Sequence, residues 1–197
     1  MSDSVPMTHL RFLVLCAALA LGAAAPAAGA SPAHPVMGGS TLACTGRVDP
    51  ARPLVLDPAV RARPQRLSLE GTVLLDRCRT GAGDRVRRRS ARVRVSGSGT
   101  VSCTGWSGLT GRARVEWFAG DNRTGRRLGT SSVVQSGRNS GGMSAALPRG
   151  RVTSGPLTGA RVDSGVTYGL SALRCASQGV RSVSGPVWVR FTGATVS

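Results

Sequence analysis

Six arginines fall within ten residues of the chain, at Arg85, Arg87, Arg88, Arg89, Arg92 and Arg94. A guanidinium is planar, permanently charged and forked, so a cluster of them suits phosphate, sulfate or carboxylate oxygens. Chemistry beyond binding needs partners that the sequence does not supply. The histidines are His9 and His34, both ahead of any patterned segment, which leaves a Ser-His or Cys-His arrangement without its base. Lysine is absent, and with it Schiff-base chemistry and a P-loop. Beyond Asp3, the carboxylates Asp49, Asp57, Glu70, Asp76, Asp84, Glu116, Asp121 and Asp163 are scattered, and no spacing selects two of them as an acid and base pair. Gly105-Trp106-Ser107-Gly108 approaches a nucleophile elbow but lacks the final glycine in place and reads as a turn. Asp121-Asn122 followed by Thr124-Gly125 offers too few oxygens for calcium. No metal site and no cofactor signature is legible, and the expectation is a protein that is not an enzyme.

The elements that must carry the arginines are short. Arg112 to Phe118 alternates cleanly, with Ala113, Val115 and Trp117 on one face and Arg112, Arg114 and Glu116 on the other. A period of two with one polar face marks an antiparallel strand over a core. Ala91, Val93 and Val95 alternate in the same way with Arg92 and Arg94, and counting back places Arg88 on the arginine side. If the two strands are neighbours, Arg88, Arg92, Arg94, Arg112 and Arg114 form one candidate anion-binding surface. No aromatics interleave with them, so sequence-specific reading of nucleic acid is not expected. Further strands are expected at Leu42 to Val48, Arg66 to Leu75, Thr100 to Thr104, Arg127 to Gln135, Met143 to Leu147, around Arg161 and Val162, at Thr167 to Arg174, and at Pro186 to Phe191. Gly120-Asp121-Asn122 and Thr124-Gly125, between Trp117 and Leu128, are hairpin chemistry. No stretch after the N-terminal segment holds a long helical repeat. The expected class is all-β, an antiparallel sandwich or a small barrel of about 8–10 short strands.

Composition sets the context. The chain has 197 residues and a formal net charge of +17. Codon bias toward G and C accounts for arginine in place of lysine and valine in place of isoleucine. It does not account for the excess of cations over acids. Arg11 precedes the apolar run Phe12 to Cys16, alanine-rich sequence continues to Ala25, and Ala28-Gly29-Ala30 supplies small residues. Residues 1–30 therefore read as a secretory signal peptide cleaved after Ala30, too short in its apolar part for a transmembrane span. Residues 31–40 read as a flexible leader and 41–197 as a single all-β domain. The cysteines left are Cys44, Cys78, Cys103 and Cys175. An even count in an exported chain points to two disulfides, and no Cys-x-x-Cys supports zinc instead. A hairpin turning near Arg61 would bring Cys44 to Cys78 and leave Cys103 for Cys175. Trp117 has core parity, whereas Trp106 and Trp188 have exposed positions open to them.

Short motifs run through the same region: Ala43-Cys44-Thr45-Gly46, Gly71-Thr72-Val73-Leu74 ahead of Cys78, Gly99-Thr100-Val101-Ser102-Cys103, Val115-Glu116-Trp117, the segment from Gly150 to Gly159, and Cys175. In these the chain resembles the small secreted actinobacterial β-proteins with four cysteines, a group without an assigned function. The resemblance implies an exported all-β domain and no catalytic residues. This chain departs from the group in its arginine load. The functional expectation is a secreted non-enzymatic β-domain, a binding or structural protein at or outside the cell envelope, with an anionic cell-wall polymer or another polyanion as partner. The alternative is a secreted hydrolase or protease inhibitor whose site the sequence does not display.

Overall fold

The computed structural model describes residues 40–80, 88–136, 140–142, 147–167 and 172–194. Alternating apolar and polar residues, punctuated by glycine, give eleven strands among them: β1 (Ser40–Val48), β2 (Leu54–Val60), β3 (Gln65–Thr80), β4 (Ser90–Ser102), β5 (Gly105–Phe118), β6 (Arg127–Ser136), β7 (Ser140–Gly142), β8 (Leu147–Ser154), β9 (Arg161–Val166), β10 (Val180–Val183) and β11 (Pro186–Ala194). The one α-helix among the described residues, α1, spans Ala172–Gln178. Eight strands close into an antiparallel barrel in the order β1-β11-β9-β8-β6-β5-β4-β3, with β3 pairing back onto β1. Of the two expected architectures the protein is thus the barrel, which leaves its eight wall strands no open edge.

Closure depends on β3, which is 16 residues long and changes partner along one edge. Its first part pairs with β2, from Val55 opposite Glu70 to Asp57 opposite Ser68, and its last part pairs with β1, from Val48 opposite Val73 to Leu42 opposite Thr80. β1 and β2 therefore lie end to end along β3, joined by a turn in which the Asp49 and Thr72 amides donate to the Thr72 and Arg52 carbonyls at 2.9 and 3.0 Å. The partner ribbon breaks at the same level, where the Val48 amide donates to the Gly185 carbonyl between β10 and β11. Below the break β1 and β11 belong to the wall. Above it β2 and β10 leave the wall as two extra strands. Their apolar residues Leu54, Leu56, Val60, Val180 and Val183 join the buried core.

Both bridges form as expected, Cys44 with Cys78 and Cys103 with Cys175. The reason for the first differs from the expected one. A hairpin does turn between β2 and β3, but Cys44 lies on β1, directly opposite Cys78 across the β1–β3 seam. Cys103, in the β4–β5 turn, is bonded to Cys175 of α1. Of the strand expected at Thr167 to Arg174, residues 168–171 lie outside the described residues, and from Ala172 onward the chain is the helix α1 instead, too short to display a period in sequence. Of Met143 to Leu147, residues 143–146 lie outside the described residues, and Leu147 begins β8.

The inner face is layered by register. Ala91 faces Trp117, Val93 faces Val115, Val95 faces Ala113, and Gly97 faces Gly111. Trp117 is fully buried and meets Phe191 edge to face at 5.3 Å, which fills the end of the barrel where β5 finishes. The β5–β6 connection folds over that end. Its 3-10 turn Asp121–Arg123 is held by Ser90, whose hydroxyl donates to the Gly120 carbonyl at 2.6 Å and accepts from the Arg123 amide at 2.8 Å. Arg123 also pairs with Asp76 of β3.

The seam beside the first bridge tolerates no side chain at Gly46, because a Cβ there would sit 2.0 Å from the Leu74 carbonyl oxygen and 2.8 Å from the Leu75 Cα. Gly46→Ala is expected to destabilise the protein by about 1–3 kcal/mol through forced separation of β1 and β3. Chemical unfolding of the disulfide-intact variant measures it.

Candidate anion-binding groove on the barrel wall

On the outer face of β3 to β6 the registers place side chains in rows. Glu70, Ser96, Arg112 and Val134 form one row, Thr72, Arg94, Arg114 and Ser132 the next, and Leu74, Arg92, Glu116 and Thr130 the third. The turn between β1 and β2 overhangs the second row, which buries Thr72 and leaves a groove in front of it. Arg52, Val55, Asp57, Glu70, Arg94, Arg112, Arg114 and Val134 border this groove.

The five arginines expected to act together divide into three groups. Arg94, Arg112 and Arg114 are exposed, line the groove, and have no ion pair or side-chain hydrogen bond among the described residues. Arg94 and Arg114 stand directly opposite each other on β4 and β5. Arg92 lies one row away and is engaged by Glu116, whose two oxygens take Arg92 at 3.6 Å and Arg127 at 2.9 Å. Arg88 is only 6% exposed, a correction to its expected place on the surface. The strand begins at Ser90, so the alternation that places Arg92 and Arg94 outward does not extend back to residue 88. Of the remaining cluster, Arg89 reaches Asp121 at 3.5 Å, and Arg85 and Arg87 lie outside the described residues.

Sequence reasoning missed Arg52, which reaches the groove through the β1–β2 turn and carries no pattern that would announce it. It also missed the two exposed apolar side chains beside the arginines, Val55 and Val134, at 48% and 42% exposure. Trp188 is 40% exposed and lies against Gly165 on the outer wall, away from the groove, while its neighbours Val187 and Phe191 point inward. Trp106 is half-buried and packs against the core.

Like charges placed opposite each other across strands repel by up to about 1 kcal/mol. The neighbouring rows show that an acid at such a position is easily accommodated, since Glu116 occupies one. A second groove, at the β1–β3 seam, contains Arg47, Arg77, Arg79 and Arg89, but there Asp76 and Asp121 take Arg47 and Arg89 at 3.7 and 3.5 Å. Each groove thus has four arginines and two acids on its border, and the first differs in that, among the described residues, neither Asp57 nor Glu70 comes within ion-pair distance of Arg94, Arg112 or Arg114. Guanidinium forks at this spacing can bind oxygens of adjacent anionic groups on one chain. Charged side chains outside and apolar ones inside are the reverse of a membrane-spanning barrel, whose outward band is apolar. Among the described residues no helix is long and apolar enough to cross a membrane. Comparisons of the chain with protein-family profiles, with curated proteins and with solved structures find no match.

Proposed function

We propose that the protein is an exported, non-enzymatic binding module that docks on a polyanion, such as an anionic cell-wall polymer, through Arg94, Arg112 and Arg114. The observation that carries this reading is the placement of Arg94 opposite Arg114 with neither in an ion pair among the described residues, one row from a Glu116 that pairs with two other arginines. A bound anion relieves the repulsion that the free protein bears. Export by a signal peptide over residues 1–30 belongs to the same reading and is supported by two disulfides, which persist in oxidising compartments. The arrangement gives less support to hydrolysis. Asp57 and Glu70 border the groove, yet both are exposed, without the burial that sets a general acid apart from a base.

Retention on heparin and on purified wall polymer tests the proposal. Replacing Arg94, Arg112 and Arg114 together with serine is expected to lower the slope of log affinity against log salt by about 2–3, since each phosphate-like contact contributes about 0.7–0.9. Replacing Arg161 and Arg190 on the wall and Arg181 on β10, all exposed away from the groove, removes the same charge and is expected to leave most of that slope in place. Equal losses from the two triples would reduce the interaction to net charge and overturn the proposal. Glu116→Gln is expected to act in the opposite direction. It releases Arg92 and Arg127 beside the groove and should raise the salt needed for elution.

A further inference from the structure

We propose that the interior of the barrel is a second binding site, for a small uncharged apolar molecule bearing one hydrogen-bonding group, of the class of short-chain or single-ring alcohols and ketones. The site is separate from the outer groove and does not depend on it.

Packed protein interiors leave few voids larger than a water molecule, and eight-stranded barrels are either filled by their own side chains or hold one small ligand. This barrel does both, at different ends. Toward the end closed by the β5–β6 connection it is filled by Trp117, Phe191 and Leu75. Toward the other end the inward positions shrink, with Gly97 opposite Gly111 and Val95 opposite Ala113. A cavity of about 100 Å³ remains there, somewhat smaller than the roughly 150 Å³ that holds a benzene molecule. It is reachable from solvent. Leu69, Val95, Ala113, Val166 and Val189 line it and pack on the core, yet each is only half-buried although it points into the barrel.

The lining specifies the ligand. Among the described residues no charged side chain borders the cavity, so this lining offers an ion nothing to compensate its desolvation. The walls are mainly valine and leucine, and the polar residues among them are Ser96, Thr110, Ser164 and Gln135, the last opposite Gly111. Of these, Ser164 of β9 lies between the inward-facing Val162 and Val166. It is only 7% exposed, and its hydroxyl has no hydrogen-bond partner among the described residues. Because the cavity is reachable from solvent, water can pair with this hydroxyl in the empty site, and a donor or acceptor on an otherwise apolar guest would take that water's place. The buried hydroxyl of Ser131 is instead satisfied by Trp117 and by the Pro156 carbonyl. Leu54 of β2 is also part of the apolar lining.

Cyclopentanol and cyclopentane, titrated into the disulfide-intact protein and followed by amide chemical shifts, test the assignment. Both are expected to give saturable shifts at Val95, Ala113, Ser164 and Val189. Ser164→Ala is expected to weaken cyclopentanol about fivefold, the worth of one hydrogen bond, and to leave cyclopentane unchanged. Ala113→Leu should abolish both. Val189→Ile, which adds one methylene, should weaken both while the thermal transition is retained, and so distinguishes a filled cavity from a damaged fold. Absence of saturable shifts with either probe, or shifts confined to outer-wall residues such as Val55 and Val134, would overturn the site. A cyclopentanol-to-cyclopentane ratio that Ser164→Ala does not alter would overturn the polar contact and with it the ligand class.

Discussion

Trp117→Ala is expected to lower the unfolding free energy by about 3–5 kcal/mol, the range for removing a large aromatic from a core. Three losses combine at this position. The side chain is fully buried, and its edge-to-face partner Phe191 would border a void in place of a ring. Its Nε1 donates to the Ser131 hydroxyl at 2.8 Å, and that hydroxyl in turn donates to the Pro156 carbonyl, so truncation also breaks a buried chain of hydrogen bonds. Trp117→Phe keeps most of the volume and loses the donor, and should cost closer to 1–2 kcal/mol. Denaturant unfolding measures both. For a domain of this size the first corresponds to a fall in Tm of roughly 6–20 °C, at 2–4 °C per kcal/mol. Equal effects from the two variants would contradict the assigned role of ring volume.

Removal of either disulfide by paired alanine substitution is expected to cost about 3–4 kcal/mol, because the bridges span 34 and 72 residues and the entropy of the unfolded chain rises accordingly. A twofold difference in span changes the loop term by only about 0.6 kcal/mol, so span alone does not separate them, and position does. Loss of Cys44 and Cys78 releases the β1–β3 seam, which is part of the barrel wall, and hydrogen exchange should accelerate throughout the inner layer. Loss of Cys103 and Cys175 releases α1 from the β4–β5 turn and should accelerate exchange in β2, β10 and α1 while leaving Val93 and Val115 protected. Identical exchange patterns in the two variants would show that the two parts unfold as one cooperative unit.

How much the sequence disclosed depended on whether a residue's role was local. The run from Arg112 to Phe118 displays both its strand and its core tryptophan, because alternation is a property of neighbours. The turn at Gly120 to Gly125 is equally readable, and Gly125 has the positive φ of 72° that its type suggests. β2 was harder. Pro58 in its middle argues against a strand, yet the residue falls inside the register shift between Val60 and Val55 against β10 and beyond the last pair with β3, where no ladder bond is required of it. The pairing of Cys44 with Cys78 was legible while its cause was not, since the β1–β3 contact skips a strand. Arg94, Arg112 and Arg114 followed from parity. Arg88 did not, because parity ends where its strand ends. The cavity left no trace in the linear order: Gly97 and Gly111 in one layer and Ala113 in the next become adjacent small-sided positions only once the register aligns them.

The position of β11 between β1 and β9 has a consequence for the order of assembly. The meander β3 to β6 is built from consecutive strands and can pair as soon as its own residues are free to do so. The first strand of the wall must wait, because the neighbour on its outer edge is the last strand of the chain. Until then both β1 and β9 present unpaired edges, the exposure through which partly folded β-proteins associate with one another. For a chain that emerges from its N-terminus, closure is therefore a terminal event, and the Cys44 to Cys78 bond can fix β1 to β3 before β11 arrives to cover it.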